Sequence, residues 1–345
     1  MTSTTVLVTG GAGFIGSTFV RHLREKHPDY RILVLDAMTY AGSFSNLPDA
    51  TDRPTDKFEF WYGSVCNPDL VTSLVERSDY IVHFAAETHV TRSIYDNRLF
   101  FETDVLGTQT VAHAVLKSGK KVKRFIHVST SEVYGTANSA LMDEDHLLNP
   151  MSPYASAKCG ADRLVYSYWA TYQIPAVIVR PFNNYGPRQH LEKVVPRFIT
   201  GVILDQPITV HGDGAAARDF IHAEDTCAAL DLVMHAPDEK VVGEVFNVAS
   251  GVDRSVLSIA QDIVAKMSGK KESITFIGNR PGQVVRHSGD SKKIEERLGW
   301  KAKYDWNVGL QHTIDWFLKN RPSWEQQMWM RTIPIITASG KVEQH

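Results

Sequence analysis

Along the first half of the chain, short apolar runs alternate with stretches whose apolar residues recur at helical spacing. Thr5 to Thr9 is a β-branched apolar run, Gly10 to Gly16 is glycine-rich, and Phe14 to Glu25 is amphipathic, which reads as strand, tight turn and helix. Arg31 to Asp36 is the next buried strand, and further apolar runs follow at Tyr80 to Phe84, Arg124 to Ser129 and Ala176 to Arg180. Helical patterns separate them at Asp69 to Glu76, about Arg98 to Leu116, and about Pro153 to Tyr172. Strands alternating with helices predict an α/β protein, a Rossmann-type doubly wound parallel sheet with right-handed crossovers.

Beyond Pro181 the elements shorten, with loops around Gly212 to Gly214, Gly251 and Arg280 to Gly282. This predicts residues 1–180 as the dinucleotide-binding domain. Residues 181–345 are then mainly a smaller carboxyl-terminal α/β substrate domain, some of whose segments return to the core. Ligands should lie between the two, at the carboxyl edge of the sheet. The tail from Trp324 to His345 has no clear periodicity, and no repeat or low-complexity tract is present.

Composition narrows the class. With 345 residues, 43% of them hydrophobic, the chain buries a large core. Its 37 basic and 39 acidic residues give a formal charge of −2, which excludes a global basic field for nucleic acid or an anionic membrane. Cys66, Cys159 and Cys227 are too scattered for a zinc site or a disulfide framework. No apolar stretch reaches about 18 residues and no leader-like segment opens the chain, so a cytoplasmic location is expected.

Thr9-Gly-Gly-Ala-Gly-Phe-Ile-Gly16 places Gly10, Gly13 and Gly16, with Phe14 and Ile15 between them, where a strand turns into a helix. Such a turn lets backbone approach a pyrophosphate and points a helix amino end at it. Asp36 closes the second strand 20 residues after Gly16, where a carboxylate accepts from a ribose 2′-hydroxyl and repels a 2′-phosphate. NAD is therefore expected over NADP. Ala85 and Ala86, in the segment His83 to His89, supply small residues where a cofactor crosses the sheet edge. No ligand spacing supports a metal, and His83 and His89 read as hydrogen-bonded structural groups.

Ser129-Thr-Ser-Glu-Val-Tyr-Gly135 follows the strand at 124–129, and Tyr154-Ala-Ser-Ala-Lys158 lies on a helix. Four apart, Tyr154 and Lys158 share a face, so the ammonium is expected to lower the phenol and hold the cofactor ribose. Thr130 is expected to hydrogen-bond a substrate hydroxyl from the other side. The three make a site for moving a proton and a hydride off one carbon, with Ser131 and Glu132 at its mouth.

TGGAGFIG, STSEVYG and YASAK, in this order, resemble the extended short-chain dehydrogenase/reductase family, whose members bind NAD in a Rossmann domain and nucleotide sugars in a carboxyl-terminal domain. The resemblance runs from about residue 5 to about 320. AAETHVTRSI at 85–94, TDVLGT at 103–108, RPFNNYGPRQHLEKVVPRFI at 180–199, RDFIHAED at 218–225 and NRPGQVVRH at 279–287 are similar to the nucleotide-sugar 4,6-dehydratases, especially the dTDP-glucose type. It implies Asn184 near the sugar diphosphate, Lys193 near the nucleotide end, and Arg218 and Arg286 near the phosphates. The two guanidinium groups also suit phosphate oxygens on their own chemistry, with a loop ion pair as the alternative for each.

The resemblance further implies that Tyr154 takes the C4 hydroxyl proton while hydride passes to NAD. Glu132 then removes the C5 proton, water leaves from C6, and the hydride returns to C6. Two positions depart from the family pattern. Ser131 stands where the dTDP-glucose enzymes usually have an aspartic acid that protonates the departing hydroxyl. Ser64 stands where an aspartate often reaches the adenine. Thr-Ser-Glu also occurs in GDP-mannose dehydratases and in UDP-glucuronate decarboxylases, so decarboxylation stays open. A 4-epimerase, which needs no carboxylate for C5, fits Glu132 less well. A non-catalytic NAD-binding sensor or scaffold is the reading from another class. The helices near 98–118 and 153–172 are those by which relatives dimerise, so a homodimer is expected.

Overall fold

The computed structural model describes residues 3–47, 57–119, 121–267, 273–278, 284–331, 334–336 and 342–344. The first strands are β1 (Thr5–Thr9), β2 (Arg31–Asp36), β3 (Phe58–Tyr62), β4 (Tyr80–His83), β5 (Arg124–Val128) and β6 (Ala176–Pro181). Helices α1 (Phe14–Lys26), α2 (Pro68–Val75), α3 (Val90–Tyr95), α4 (Arg98–Phe100), α5 (Thr108–Lys117) and α6 (Pro153–Tyr172) lie between them. Next come β7 (Asn183–Tyr185), α7 (Val194–Ile203), β8 (Ile208–His211), β9 (Ala217–His222), α8 (Ala223–His235) and β10 (Val245–Val248).

β1 to β6 and β10 form one seven-stranded parallel sheet in the order β3-β2-β1-β4-β5-β6-β10. The expected doubly wound sheet is thus present. The middles of β1 and β2, residues 6–8 and 32–35, are unbroken apolar runs because both faces are covered. Val6, Val8, Ile32, Val34, Ile126 and Val177 face α1 and α8, while Leu7, Leu33, Ile81, Phe125 and Ile178 face the core shared with α2, α5 and α6. Strand order reverses between β2-β1 and β4-β5, which opens a crevice at the carboxyl ends where ligands collect in such sheets.

The predicted helix at 98–116 is interrupted. α4 passes directly into a π-helical segment, Phe101–Gly107, before α5 begins. Apolar periodicity cannot distinguish these forms, since one wide turn shifts the pattern by a single residue.

The later elements build a second layer over the carboxyl edge. β11 (Asp253–Ser255) and β13 (Arg286–His287) flank β9, β7 also pairs with β9, and β12 (Ile274–Ile277) pairs with β8. Their core holds Val195, Phe198, Ile199, Ile259, Leu310 and Phe317. The expected loop at Arg280 to Gly282 lies outside the described residues. In the tail, β14 (Pro334–Ile336) and β15 (Val342–Gln344) pair antiparallel.

α1 and α8 are joined at their outer ends by a carboxylate with three imidazoles. Asp231 receives His22 Nε2 at 3.0 Å, His27 Nε2 at 2.9 Å and His235 Nδ1 at 3.0 Å. Burial would raise the Asp231 carboxyl, but the hydrogen bonds from His22, His235 and His27 hold it far below the usual range.

Candidate active site

A cleft of about 680 Å³ lies between the sheet edge and the second layer. The glycine turn forms one end. Gly10 has φ +68°, and a Cβ there would meet Ala85 N at 2.6 Å; a Cβ on Gly16 would meet Gly10 O at 2.2 Å. No side chain larger than hydrogen fits either place. Gly13 is the N-cap of α1, with no side chain to cap the first turn, so the helix amino end presents its N–H groups to the cleft.

Asp36 closes this end. Its Oδ2 accepts from Ala12 N at 2.9 Å and its Oδ1 from Met38 N at 2.8 Å, while burial raises the carboxyl despite those bonds. Phe14, Ile15, Ala85, Ala86 and Ser64 line the same cavity. An anion-binding helix terminus, a fixed carboxylate and small residues at the sheet edge fit a dinucleotide. His83 is tied on both ring nitrogens, to Thr9 Oγ1 at 2.7 Å and Thr108 Oγ1 at 3.0 Å, and His89 caps α3.

At the middle of the cleft, Thr130 caps a 3-10 turn, Ser131–Tyr134, with its Oγ1 accepting from Glu132 N at 3.2 Å. Tyr154 and Lys158, one turn apart on α6, line the cleft beside Thr130, Ser131 and Glu132. The Tyr154 hydroxyl hydrogen-bonds the side chains of Thr130 and Thr88.

The expected lowering of the phenol by Lys158 does not appear. Burial pushes Tyr154 well above its usual range, the charge of Asp104 adds to this, Thr130 pulls against it, Glu132 raises it further, and Thr88 pulls it down. Lys158 Nζ instead donates to Val128 O at 2.8 Å; burial lowers its pKa, and Asp104 and Asp162 oppose that. Burial disfavours the charged form of each group, the phenolate and the ammonium, and that sets the direction of both shifts.

The predicted substrate residues divide. Asn184, Lys193 and Arg218 line the cleft and Arg286 does not. Lys193 Nζ donates to Thr88 O at 3.0 Å and Thr88 Oγ1 at 3.3 Å, so its head lies against the loop that holds Tyr154. Asn184 Nδ2 donates to Phe182 O at 3.0 Å. Burial lowers the Arg218 pKa and Glu132 opposes this. Arg286 pairs with Asp253 at 2.6 Å, the loop ion pair that was its alternative.

Sequence reasoning missed several groups. Thr88 stands within a quoted motif, but nothing in its spacing marks it. Arg197 lines the cleft on α7 with only burial acting on it. Asp104, 1% exposed in the π-helical segment, accepts from Glu87 N at 2.7 Å, and burial raises it while Lys158 opposes. His287 sits behind Glu132, its Nδ1 4.0 Å from Oε1.

The family model described as GDP-mannose 4,6 dehydratase matches residues 7–313. The chain belongs to this family. It is an NAD-dependent lyase of the nucleotide-sugar 4,6-dehydratase branch of the extended short-chain dehydrogenases/reductases. Among its relatives, the low-salt glycan biosynthesis protein Agl12 of Haloferax volcanii is 43% identical over 313 residues, 91% of this chain and 98% of that protein. The dTDP-glucose 4,6-dehydratase of an Actinoplanes species is 37% identical over 92% of this chain and 99% of its own. The solved structure of the dTDP-glucose 4,6-dehydratase DesIV of Streptomyces venezuelae, with NAD bound, superposes with a TM-score of 0.88. It is 37% identical and covers 94% of this chain and 99% of its own. The glycine turn and residues 130–132 line one cleft.

Proposed function

We propose that this dehydratase acts on dTDP-glucose, giving the 4-keto-6-deoxy sugar nucleotide, and that Thr130, Glu132, Tyr154 and Lys158 carry the reaction. The observation behind this reading is that the four line the same cleft as the glycine turn and Asp36. NAD held there would supply the hydride acceptor for C4 and the hydride donor for C6. Asp36 takes the ribose hydroxyls, and Gly10, Gly13 and Gly16 admit the pyrophosphate. Arg218 and Asn184 bind the sugar diphosphate from the second layer. Arg286, held by Asp253, acts only by bracing that layer.

Tyr154 takes the C4 hydroxyl proton, with Thr130 orienting the phenol through its hydrogen bond. Lys158, one helical turn on and held to the carbonyl of Val128, faces the same cleft to hold the cofactor ribose. The 4-ketone acidifies the C5 hydrogen, which Glu132 removes, and the C6 hydroxyl leaves as water. Ser131 is too weak an acid to protonate that leaving group, so Glu132 serves first as base and then as acid.

Leu99, Phe101, Leu106, Tyr166 and Tyr172 are exposed apolar residues on or beside α4, the π-helical segment and α6. They support a homodimer through these helices, which light scattering tests. Among the described residues no helix is long and apolar enough to cross a membrane. The three free cysteines suit a reducing, cytoplasmic setting.

The test is mass spectrometry after incubation with separate nucleotide sugars. Loss of one water from dTDP-glucose, with other nucleotides slower, is expected. Loss of carbon dioxide from UDP-glucuronate alone would overturn the reading. Glu132→Gln is expected to reduce NAD without eliminating water, and Tyr154→Phe to stop the first hydride transfer.

A further inference from the structure

Elimination of water needs an acid for the departing C6 oxygen as well as a base for C5. Glu132 stands at the catalytic mouth, and beside it, wholly buried, is His287. His287 lies on β13, in register with Arg218 on β9. Its Nε2 hydrogen-bonds the carbonyl oxygen of Gly135. A carbonyl only accepts, so Nε2 carries the hydrogen and the neutral ring presents a lone pair at Nδ1. That Nδ1 has no hydrogen-bond partner among the described residues and stands 4.0 Å from Glu132 Oε1. The carbonyl that sets the tautomer is itself held fast: Gly135 has φ +72°, and a Cβ there would meet Asn149 O at 2.1 Å.

We propose that His287 is a positioning residue for the elimination, holding at Nδ1 the proton that Glu132 takes from C5 until Glu132 passes it to the departing hydroxyl. The inference rests on the role of Glu132 given above. The C5–H bond breaks and its proton goes to Glu132. Its electron pair moves into the 4-ketone as an enolate; when that pair returns, the C4 carbonyl re-forms, the C5–C6 double bond forms and the C6–O bond breaks, and the leaving oxygen takes the same proton and departs as water. Between the two transfers the pair is either a carboxylic acid beside a neutral imidazole or a carboxylate beside an imidazolium. A side-chain shift of about 1 Å brings Oε1 and Nδ1 to hydrogen-bond distance. Burial lowers the His287 pKa, Glu132 and the Gly135 carbonyl oppose this, and Arg218 and His146 add to it. A second proton therefore enters only when Glu132 shares it.

His287→Gln keeps a donor at the Nε2 position for Gly135 and removes the acceptor at Glu132. The assay is single-turnover reduction of bound NAD at 340 nm, with product formed in parallel, across pH 6 to 9. Expected is C4 oxidation at the normal rate, elimination slower by about 100-fold with reduced cofactor accumulating, and loss of one limb of the pH profile of product formation. His287→Asn, with an amide oxygen or nitrogen near the Nδ1 position, should recover part of the rate but not the limb. Elimination at the normal rate in His287→Gln would overturn the proposal, as would equal slowing of both steps in both variants. Glu132→Gln separates the two readings: normal elimination there removes the role of Glu132 itself, whereas blocked elimination there with normal His287→Gln removes only this proposal.

Discussion

Replacing Asp162 with asparagine is expected to cost about 3–5 kcal/mol, the usual penalty for stripping one partner from a buried ion pair. Asp162 on α6 and Arg180 on β6 are both essentially inaccessible. Arg180 grips the carboxylate with Nε at 2.8 Å and Nη2 at 2.9 Å, and its Nη1 donates to Tyr134 Oη at 2.8 Å. Tyr134 in turn donates to Asn247 Oδ1 at 2.7 Å. The pair thus supports the turn that carries Glu132 from behind. Burial would raise the Asp162 carboxyl, but Arg180 and Arg163 hold it well below the ordinary range. A depressed carboxyl stabilises above its unfolded value, near 3.9, and loses that contribution as pH falls through the folded value. The penalty should therefore be complete at pH 7 and shrink below about pH 4. Urea denaturation followed by tryptophan fluorescence measures it, with Asp162→Leu/Arg180→Met alongside. The double variant should cost less than Asp162→Asn, because no unpaired buried charge remains and Arg163, its side chain 41% exposed, is left to solvent. A cost below about 1 kcal/mol for Asp162→Asn, or a double variant worse than the single, would refute the reasoning.

Asp36→Ser should weaken NAD binding by about 10–100-fold, as expected for losing charged hydrogen bonds, and narrow the preference over NADP; titration with both cofactors checks this, and an unchanged ratio would remove the ribose role. Gly16→Ala should yield protein without bound dinucleotide, since the added methyl would sit 2.2 Å from Gly10 O; chromatography of the released nucleotide decides. The hydrogen bond that His235 donates to Asp231 raises the imidazole pKa above the unfolded value. Its contribution is present below about pH 6.5 and lost as pH rises through the folded value, so His235→Ala should cost about 1 kcal/mol at pH 6 and less at pH 9. Thermal midpoints at the two pH values give the comparison, and an equal cost at both would contradict it.

What was legible in the sequence was local. Residues 6–8 and 32–35 are unbroken apolar runs because a parallel sheet is covered on both faces there. Tyr154 and Lys158 announce each other because one helical turn separates them. What was not legible depends on partners far along the chain. Arg286 looked like a phosphate ligand until Asp253, 33 residues away, was seen to hold it. His287 reaches Glu132 across 155 positions, and no periodicity links them. The phenol of Tyr154 was read as lowered by its neighbour, but desolvation acts through every surrounding element and a motif carries no measure of it. The π-helical turn escaped for another reason, since it alters hydrogen bonding while leaving the apolar pattern almost intact.

β10 has a consequence for how the chain comes together. The strand is contributed by residues 245–248, yet it seals the flank of β6, which ends at residue 181. A chain emerging from synthesis would therefore hold the glycine turn and the tyrosine–lysine helix while one flank of its sheet still offers a row of unpaired N–H and C=O groups. That flank closes only after residues 182–244 have been made, α8 among them, which itself covers the sheet. Cutting or grafting the protein near residue 181 would leave the first piece with a sticky edge, so exchange of its specificity layer has to carry residues 245–248, or a matched strand, along with it.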